Sequence, residues 1–234
     1  MTNLKYGANR FKEFPKKFKE DDFWKQVSWT VNGDDISEQD ILYITESAIK
    51  HLSLDSNSHL LDLGCGNSAL SSRFIGKLGT YLGVDYSKYL ISIARKYFQY
   101  QNANFLVSNI LDIFDKDINF THFNKIFSYG VLSYLDDASV IKIFENISTK
   151  LINVDSIYIG NIPDISRAEN FFYSKDDMDR MLHDTKSGIG AWRSVDFFSK
   201  SLSELGWMVE VILMPSDFFA SHYRFDIIAK RDIP

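Results

Sequence analysis

Short apolar runs alternate with amphipathic segments along most of the chain. The runs have the length and composition of buried strands, and they cover residues 58–63, 80–85, 103–108, 124–130, 156–162, 207–214 and 223–231. Segments whose apolar residues recur at helical spacing follow several of these runs. Strands that alternate with helices predict an α/β fold in which a parallel sheet is covered on both faces.

The end of the chain departs from this alternation. Only the short segment 215–222 separates the last two apolar runs. This connection is too short for a crossover helix, so we expect the final two strands to be antiparallel.

Serine residues mark the starts of several predicted helices. Ser37 precedes an amphipathic segment and has Asp40 three residues further on, a variant of the capping box. Ser87 stands in the same position before the helix that follows the second strand. Ser68 is expected to cap a helix over residues 69–78.

The pattern divides the chain into an arm and one domain. Residues 1–36 form an N-terminal arm or flap, and residues 37–234 form the domain. Within the domain, the irregular stretch of about 163–193 is predicted to be a lid, because long irregular stretches in compact domains are usually functional.

Charge is unevenly distributed between these parts. The whole chain has a net charge of −5, which argues against a nucleic-acid partner. The first twenty residues carry six lysines and arginines against two glutamates, a local charge of 6 − 2 = +4. This basic arm is either a solvated surface or a flap that holds an anionic substrate.

Cysteine content and hydropathy indicate the cellular compartment that we expect for the protein. Cys65 is the only cysteine, so no intrachain disulfide forms, and we interpret it as a small packing residue. No run of about 18 apolar residues and no signal peptide occurs, so we expect a cytoplasmic protein without a membrane partner. The abundance of Lys, Asn, Ile, Phe, Tyr and Ser is typical of an AT-rich genome, and we expect a bacterial source.

The stretch "LLDLGCGNSAL", residues 60–70, has the character of a cofactor-binding turn. Gly64 and Gly66 allow a tight turn and a close ligand approach at the end of the first strand of the sheet. The following helix directs its amide groups at the same place. Asp85, at the end of the second strand, is suited to bind the two hydroxyls of a ribose.

Two cofactor classes fit this turn. "GCGNSA" satisfies the dinucleotide pattern, so a nicotinamide-dependent dehydrogenase is an alternative. However, Asp62 lies two residues before Gly64, where its carboxylate would repel a pyrophosphate. The same carboxylate is well placed to accept hydrogen bonds from the amine of an amino-acid ligand, which favours a cofactor with an amino-acid portion.

Further segments carry a resemblance to a known family. They are "LLDLGCGNS", "LGVDYS", "FLVSNILD", "FNKIFSYGVLSYLDD" and "SIYIGNIPD". Together with the closing helix and strand pair, residues 37–231 resemble a class I S-adenosylmethionine-dependent methyltransferase of the small-molecule type. The resemblance implies a Rossmann-like, seven-stranded, mostly parallel sheet with helices on both faces and an antiparallel last strand.

The resemblance also implies which residues bind S-adenosylmethionine and its product S-adenosylhomocysteine. These residues are Asp62, Gly64, Cys65, Gly66, Asp85, Tyr86, Asn109, Ile110, Tyr129 and Gly130. Asp62 is expected near the amine of the methionine portion and Asp85 at the ribose. Asn109 stands where the family often has Asp, and is expected to bond the adenine amine.

Candidates for the acceptor side are less sharply defined. Tyr134, where many relatives have a His, and His222, near the start of the last strand, are the catalytic candidates. A packed aromatic is an equal alternative for Tyr134, and an exposed loop residue is an alternative for His222. The substrate candidates are Tyr6, Arg10, Asn161, Tyr173, Trp192 and Arg224. The five histidines are scattered, so no metal site is expected.

The predicted function is methyl transfer to oxygen or nitrogen of a small-molecule acceptor, such as a sugar or a precursor of a surface glycan or natural product. The DNA amino-methylating signature is missing, because "SYGV" stands where Asp/Asn-Pro-Pro-Tyr would follow the fourth strand. Two alternatives stay open at this stage: an NAD-dependent Rossmann oxidoreductase and a non-catalytic S-adenosylmethionine-binding scaffold. We expect a monomer or a homodimer.

Overall fold

The computed structural model describes residues 10–233, and their strands form two sheets. A small hairpin pairs β1 (Thr30–Val31) with β2 (Asp34–Asp35). The seven predicted strands form the larger sheet, as β3 (His59–Leu63), β4 (Thr80–Asp85), β5 (Ala103–Val107), β6 (Lys125–Tyr129), β7 (Ser156–Pro163), β8 (Met208–Leu213) and β9 (Arg224–Lys230).

Eight α-helices are found in the described residues. They are α1 (Arg10–Glu13), α2 (Phe23–Gln26), α3 (Glu38–Leu52), α4 (Ser72–Ile75), α5 (Lys88–Tyr97), α6 (Asp137–Lys150), α7 (Lys175–Met181) and α8 (Val195–Ser203). None of the helices in residues 10–233 is long and apolar enough to cross a lipid bilayer.

Two of the three predicted serine caps are present. The Ser37 side chain accepts a hydrogen bond from the Asp40 amide at the start of α3, and Ser87 accepts one from Leu90 at the start of α5. The cap predicted at Ser68 is wrong, because α4 begins only at Ser72. Ser68 instead has φ +62° and is fully buried within the turn.

The order of the strands in the large sheet is β5-β4-β3-β6-β7-β9-β8. The pairs from β5 to β7 are parallel, and β9 is antiparallel to both of its neighbours, β7 and β8. The predicted Rossmann-like fold with an antiparallel last strand is therefore confirmed. Since β3 and β6 are neighbours, their carboxyl ends frame the crevice where open α/β sheets bind ligands.

Apolar side chains fill both sides of the sheet, as the sequence predicts. Along β9, Phe225 and Ile227 belong to one core with Phe144 of α6 and Phe198 of α8. The next residue along β9, Ile228, belongs to the second core, on the side of α3 and α4. This alternation follows from the two-residue period of a strand.

The described part of the arm, residues 10–36, packs on the domain. Fully buried Gln26 donates to the backbone oxygens of Lys19 and Glu20, and its Oε1 accepts a hydrogen bond from Asn67 at 3.0 Å. Asn67 also donates to the oxygen of Phe23. Because Asn67 lies in the Gly-rich turn, these bonds fasten the arm directly over that turn.

The predicted lid, residues 163–193, returns to the sheet after α7. The Arg193 amide donates to the Pro163 oxygen, and the Arg193 side chain forms a 2.8 Å ion pair with Asp137. Gly190, with φ +83°, passes so close to Ser133 that an added Cβ would lie 2.4 Å from the Ser133 oxygen. The lid is thereby held against the segment that follows β6.

We expect the centre of β9 to contribute strongly to the free energy of unfolding. Ile227 is fully buried and lies between Ile159 of β7 and Val211 of β8. Ile227→Ala should lower the free energy of unfolding by about 2–5 kcal/mol, measured by urea denaturation, because it leaves a cavity. The control Met208→Ala, at a residue 63% exposed on β8, should change it by about 0.5 kcal/mol or less. Equal effects of the two variants would contradict this packing.

Candidate cofactor and acceptor site

A cavity of about 500 Å³, called here the main cavity, lies at the carboxyl ends of β3, β4 and β6. Eight of the ten predicted cofactor residues line it, namely Gly64, Gly66, Asp85, Tyr86, Asn109, Ile110, Tyr129 and Gly130. The other two, Asp62 and Cys65, line a side cavity of about 50 Å³ that shares Gly64 and Gly66 with the main cavity. The structure thus brings all ten residues to one edge of the sheet.

The Gly-rich turn has the shape that the sequence predicts. Gly64 and Gly66 adopt φ values of +84° and +57°, in the left-handed region that favours glycine. A Cβ added at Gly64 would lie 2.4 Å from a methyl carbon of Val131, so only glycine fits between β3 and the segment after β6. The backbone is therefore free to approach a ligand closely.

Asp62 is a buried carboxylate at the end of β3. It is 2% exposed, and one of its oxygens accepts hydrogen bonds from Ser71 at 2.5 Å and Tyr81 at 2.7 Å. The Ser68 hydroxyl lies 2.9 Å from that of Tyr81, so Ser68 supports Asp62 through Tyr81. Burial raises the pKa of Asp62 to about 7, although the two hydrogen bonds act to lower it. A cationic amine in the side cavity would stabilise the charged form of this carboxylate.

Asp85 connects two loops at the cavity. One carboxylate oxygen accepts a hydrogen bond from the Gly66 amide at 3.0 Å, and the other accepts one from the Ser87 amide at 2.8 Å. Burial raises the pKa of Asp85 to about 6, against these two bonds. Each oxygen retains acceptor capacity toward the cavity, since a carboxylate offers about four lone-pair sites.

Three further residues border the far side of the main cavity. The Asn109 Oδ1 accepts a hydrogen bond from the Leu111 amide at 3.0 Å, which turns the chain behind the buried Ile110. The Tyr86 hydroxyl accepts one from the Phe11 amide at 3.3 Å. Lys12 lies with its Nζ 5.8 Å from the centre of the Tyr86 ring. The arm therefore lies beside the residues that the resemblance assigns to the adenosine.

A smaller cavity of about 140 Å³, called here the chamber, adjoins the main cavity. The two share Phe11, Val27, Trp29, Tyr129, Gly130 and Tyr134. Asn161 and Arg224, both predicted substrate residues, also line the chamber. Its position next to Tyr129 and Gly130 suits a molecule that meets the cofactor.

The two catalytic candidates lie in different surroundings. Tyr134 lines both cavities, and its hydroxyl donates to the Gly188 oxygen of the lid at 2.9 Å. His222 is exposed and lines neither cavity, and its ring packs beside Tyr223 at 4.7 Å between centroids. The structure therefore does not bring His222 to the site, because its side chain is exposed to solvent while the next two residues, Tyr223 and Arg224, line the chamber.

The remaining substrate candidates do not line the two cavities. Tyr173 is fully exposed on the lid, whereas Trp192 is 2% exposed and packs against Phe171, Phe172 and Tyr223. Trp192 therefore acts as the core of the lid. Tyr6 lies outside the described residues, and so does the side chain of Arg10.

Several site residues were not predicted from the sequence. Ser71 and Tyr81 hold Asp62, yet they lie 9 and 19 residues from it along the chain, and no local pattern marks them. Lys186 of the lid and Val27 of the arm also line the main cavity. The basic character of the arm pointed to its lysines in general, but only the fold places Lys12 beside Tyr86.

The raised pKa of Asp62 has a consequence for stability. In the unfolded chain its carboxyl has an ordinary value of 3.8, and in the folded chain the value is about 7. Ionisation is therefore more costly in the folded protein, and the contribution of Asp62 to stability falls as pH rises from about 4 to about 7. In the absence of cofactor, the free energy of unfolding of the unaltered protein should fall between pH 4.5 and 7.5. In Asp62→Asn it should fall by less, as measured by urea denaturation. Exposed Asp117→Asn is the control, and an equal pH dependence in both variants would contradict the assignment.

Comparison with known sequences gives two matches. A family model described as a methyltransferase domain matches residues 54–187, more than half of the chain. An uncharacterized methyltransferase of Schizosaccharomyces pombe is 28% identical over 76 residues. These residues are 32% of this chain but only 27% of the yeast protein, so the match spans about a quarter of that relative.

Solved structures share the fold at low identity. Magnesium protoporphyrin IX methyltransferase from Synechocystis PCC 6803, solved with bound SAH, has a TM-score of 0.66 and is 13% identical, covering 96% of this chain and 97% of its own. A putative S-adenosylmethionine-dependent methyltransferase from Listeria monocytogenes has a TM-score of 0.61 and is 15% identical, covering 84% and 100%. The small RNA methyltransferase HEN1 has a TM-score of 0.60 and is 16% identical, covering 81% and 25%.

The matched residues 54–187 contain the Gly-rich turn, Asp85 and the strands that frame the main cavity. The resemblance of the sequence to S-adenosylmethionine-dependent methyltransferases agrees with this match and with the shared fold. The chain belongs to the methyltransferase domain family.

Proposed function

We propose that this chain binds S-adenosylmethionine and transfers its methyl group to a small-molecule acceptor. The observation that carries the proposal is the convergence of ten predicted cofactor residues on one cavity edge, which continues into a separate chamber. The main cavity holds the cofactor, and the chamber holds the acceptor.

The residues present fit the proposed cofactor. A volume of about 500 Å³ lies within the usual range for cofactor sites. Asp62 would face the amine of the methionine portion, and Asp85 would accept the ribose hydroxyls. The Gly64 turn supplies the close backbone approach that the methionine portion needs.

The chemistry requires alignment more than acid–base catalysis. Bound S-adenosylmethionine supplies a methyl group that is already activated by the sulfonium. No described residue that lines the main cavity or the chamber is a histidine. Burial raises the pKa of Tyr129 well above its ordinary value, so its hydroxyl is a donor and not a base. We infer that this chain contributes mainly orientation and exclusion of water.

The size of the chamber supports a small acceptor. Arm residues Phe11 and Trp29 and lid residues Gly188 and Ile189 border its volume of about 140 Å³. The net charge of −5 also gives no general attraction for a polynucleotide. HEN1 acts on small RNA, but its likeness to this chain extends only to the fold. A cytoplasmic location and a monomeric or homodimeric state stay predictions of the sequence.

Transfer of radiolabel from S-[methyl-³H]adenosylmethionine tests the proposal. The protein is incubated with an ultrafiltered small-molecule extract of bacterial cells or with total RNA from the same cells. We expect label in the small-molecule fraction. Label in RNA alone would contradict a small-molecule acceptor. Binding of S-adenosylhomocysteine without transfer to either fraction would favour the non-catalytic scaffold.

We expect Asp85 to be required for cofactor affinity. Asp85→Ala removes the acceptor for the Gly66 and Ser87 amides and for the ribose hydroxyls. The affinity for S-adenosylhomocysteine, measured by titration calorimetry, should fall by about 1–3 kcal/mol, the range for leaving buried polar groups unpaired. Asp117→Asn is again the control, and unchanged affinity in Asp85→Ala would contradict the assignment.

The arm should also affect cofactor affinity. Gln26→Ala removes the hydrogen bonds that tie Lys19, Glu20 and Asn67 together, so the closed arm becomes less populated. The dissociation constant for S-adenosylhomocysteine should rise roughly 3- to 30-fold, in proportion to the loss of the closed state. Exposed Gln101→Ala should have no effect. If Gln26→Ala bound as tightly as the unaltered protein, the arm would not be a flap.

A further inference from the structure

The chamber collects polar atoms that have no partner within the protein. Four buried side-chain nitrogen or oxygen atoms of the described residues form no hydrogen bond, and three of them belong to chamber residues. These three are the Tyr129 hydroxyl, the Asn161 Oδ1 and the Arg224 Nε. Since buried polar groups are nearly always paired, three unpaired ones on residues that line one chamber make it a candidate site for a polar ligand.

Arg224 supplies the chamber with a positive charge. It is 7% exposed, and its guanidinium lies 4.9 Å from the centre of the Tyr223 ring. Nη1 donates to the backbone oxygen of Asn161, whereas no described residue accepts a hydrogen bond from Nε or Nη2. The Nε–Nη2 edge is the side of a guanidinium that binds a carboxylate or phosphate through two parallel hydrogen bonds.

No described carboxylate forms a salt bridge with Arg224. Asp226 interacts with Arg224 electrostatically without forming a salt bridge. The Asp226 oxygens accept hydrogen bonds from the Tyr158 hydroxyl at 2.6 Å and from the backbone amide of Asn161 at 2.7 Å. Arg193, which is comparably buried, pairs with Asp137. An arginine buried without a carboxylate partner is costly, and an anion that enters the chamber would offset this cost.

The backbone beside Arg224 is shaped for this role. Asn161 has φ +64°, an uncommon value for a residue other than glycine, and it lies where the pairing of β7 with β9 shifts register between Ile159 and Ile162. Bulges of this kind redirect side chains and occur next to functional sites. The irregularity places the Asn161 amide group at the chamber wall, where its Oδ1 has no partner.

The rest of the chamber lining is mixed. Ser28, Thr30, Ser133 and Tyr134 contribute polar groups, and the apolar side chains include Trp29, Ile36, Ile44, Phe218 and Phe219. A ligand that fits this surface has an apolar or aromatic body as well as the charged group. Since Tyr129 and Gly130 border both cavities, such a ligand would lie against the cofactor.

We propose that the chamber selects acceptors with an anionic group, a carboxylate or a phosphate, on an apolar body, and that Arg224 pairs with the anion. This inference rests on the proposed function, because it treats the chamber as the acceptor site. It narrows the proposed acceptor from small molecules in general to molecules that carry an anionic group on an apolar body. Tyr129 and Asn161 add one donor and one acceptor for neutral polar groups on the same ligand.

Aromatic probes test the charge requirement on protein saturated with S-adenosylhomocysteine. Benzoate and phenyl phosphate carry the two anions, and benzamide is the neutral analogue. We expect at least one anion to bind about tenfold more tightly than benzamide in calorimetric or NMR titrations, because hydrogen bonds to charged groups are the stronger ones. The comparison of benzoate with phenyl phosphate identifies which anion the chamber prefers. Equal affinities for all three probes would overturn the proposal.

Three variants distinguish a specific contribution of Arg224 to the anion preference from a general effect of positive charge. Arg224→Gln should abolish the preference for the anion, and Arg224→Lys should retain part of it. Arg231→Gln removes a positive charge just beyond the other end of β9, where Arg231 donates to backbone oxygens such as that of Val154, and the preference should persist. Loss of the preference in Arg231→Gln as well, or its persistence in Arg224→Gln, would overturn the assignment.

Cofactor binding distinguishes a failure of the proposed function from a failure of anion selection in the chamber. S-adenosylhomocysteine should bind Arg224→Gln with an affinity close to that of the unaltered protein, which also shows that the variant is folded. If the unaltered protein does not bind S-adenosylhomocysteine, the proposed function fails. If it binds S-adenosylhomocysteine but shows no preference for anions, only the selection of the acceptor fails.

Discussion

Burying a charged group away from water is costly unless hydrogen bonds or an opposite charge surround it, and this constraint shapes the ligand-binding edge of the sheet. Asp62, Asp85 and Asp226 are all buried there, and burial raises the pKa of each of them. Neighbouring hydroxyl and amide groups satisfy these carboxylates only in part. The remaining capacity of Asp62 and Asp85 faces cavities, so a ligand with an amine and hydroxyl groups complements the edge.

Arg224 is the opposite case at the same edge. The carboxylates accept hydrogen bonds from donors of their own chain, whereas the Arg224 Nε has no acceptor among the described residues. Asp62 and Asp85 lie at the region proposed for a cationic cofactor, although Lys12 and Lys186 also line the main cavity, and Arg224 lies in the chamber proposed for the acceptor. Charged groups in these positions would help to orient the two molecules, which is the main requirement of a displacement reaction.

Closure of the site depends on segments outside the sheet. The arm is fastened at Asn67 of the Gly-rich turn, and the lid is fastened through Arg193 to Asp137 after β6. Asn67 lies in the loop that follows β3, and Asp137 is the first residue of α6, which follows β6. The Gly-rich turn and the start of α6 therefore hold the arm and the lid against the domain.

The sequence by itself determined the seven strands and the antiparallel last strand, because hydrophobic periodicity is a local signal. It predicted the cofactor residues from the Gly-rich turn and from the family resemblance, and the fold brings them to one edge of the sheet. Ser68 and His222 show where local signals end. Both were assigned from neighbouring residues, yet Ser68 bonds Tyr81 across the turn and His222 points to solvent. Only the tertiary structure decided that Arg224 forms no salt bridge with a carboxylate of residues 10–233 and lines a chamber, since pairing and enclosure arise between segments distant in the chain.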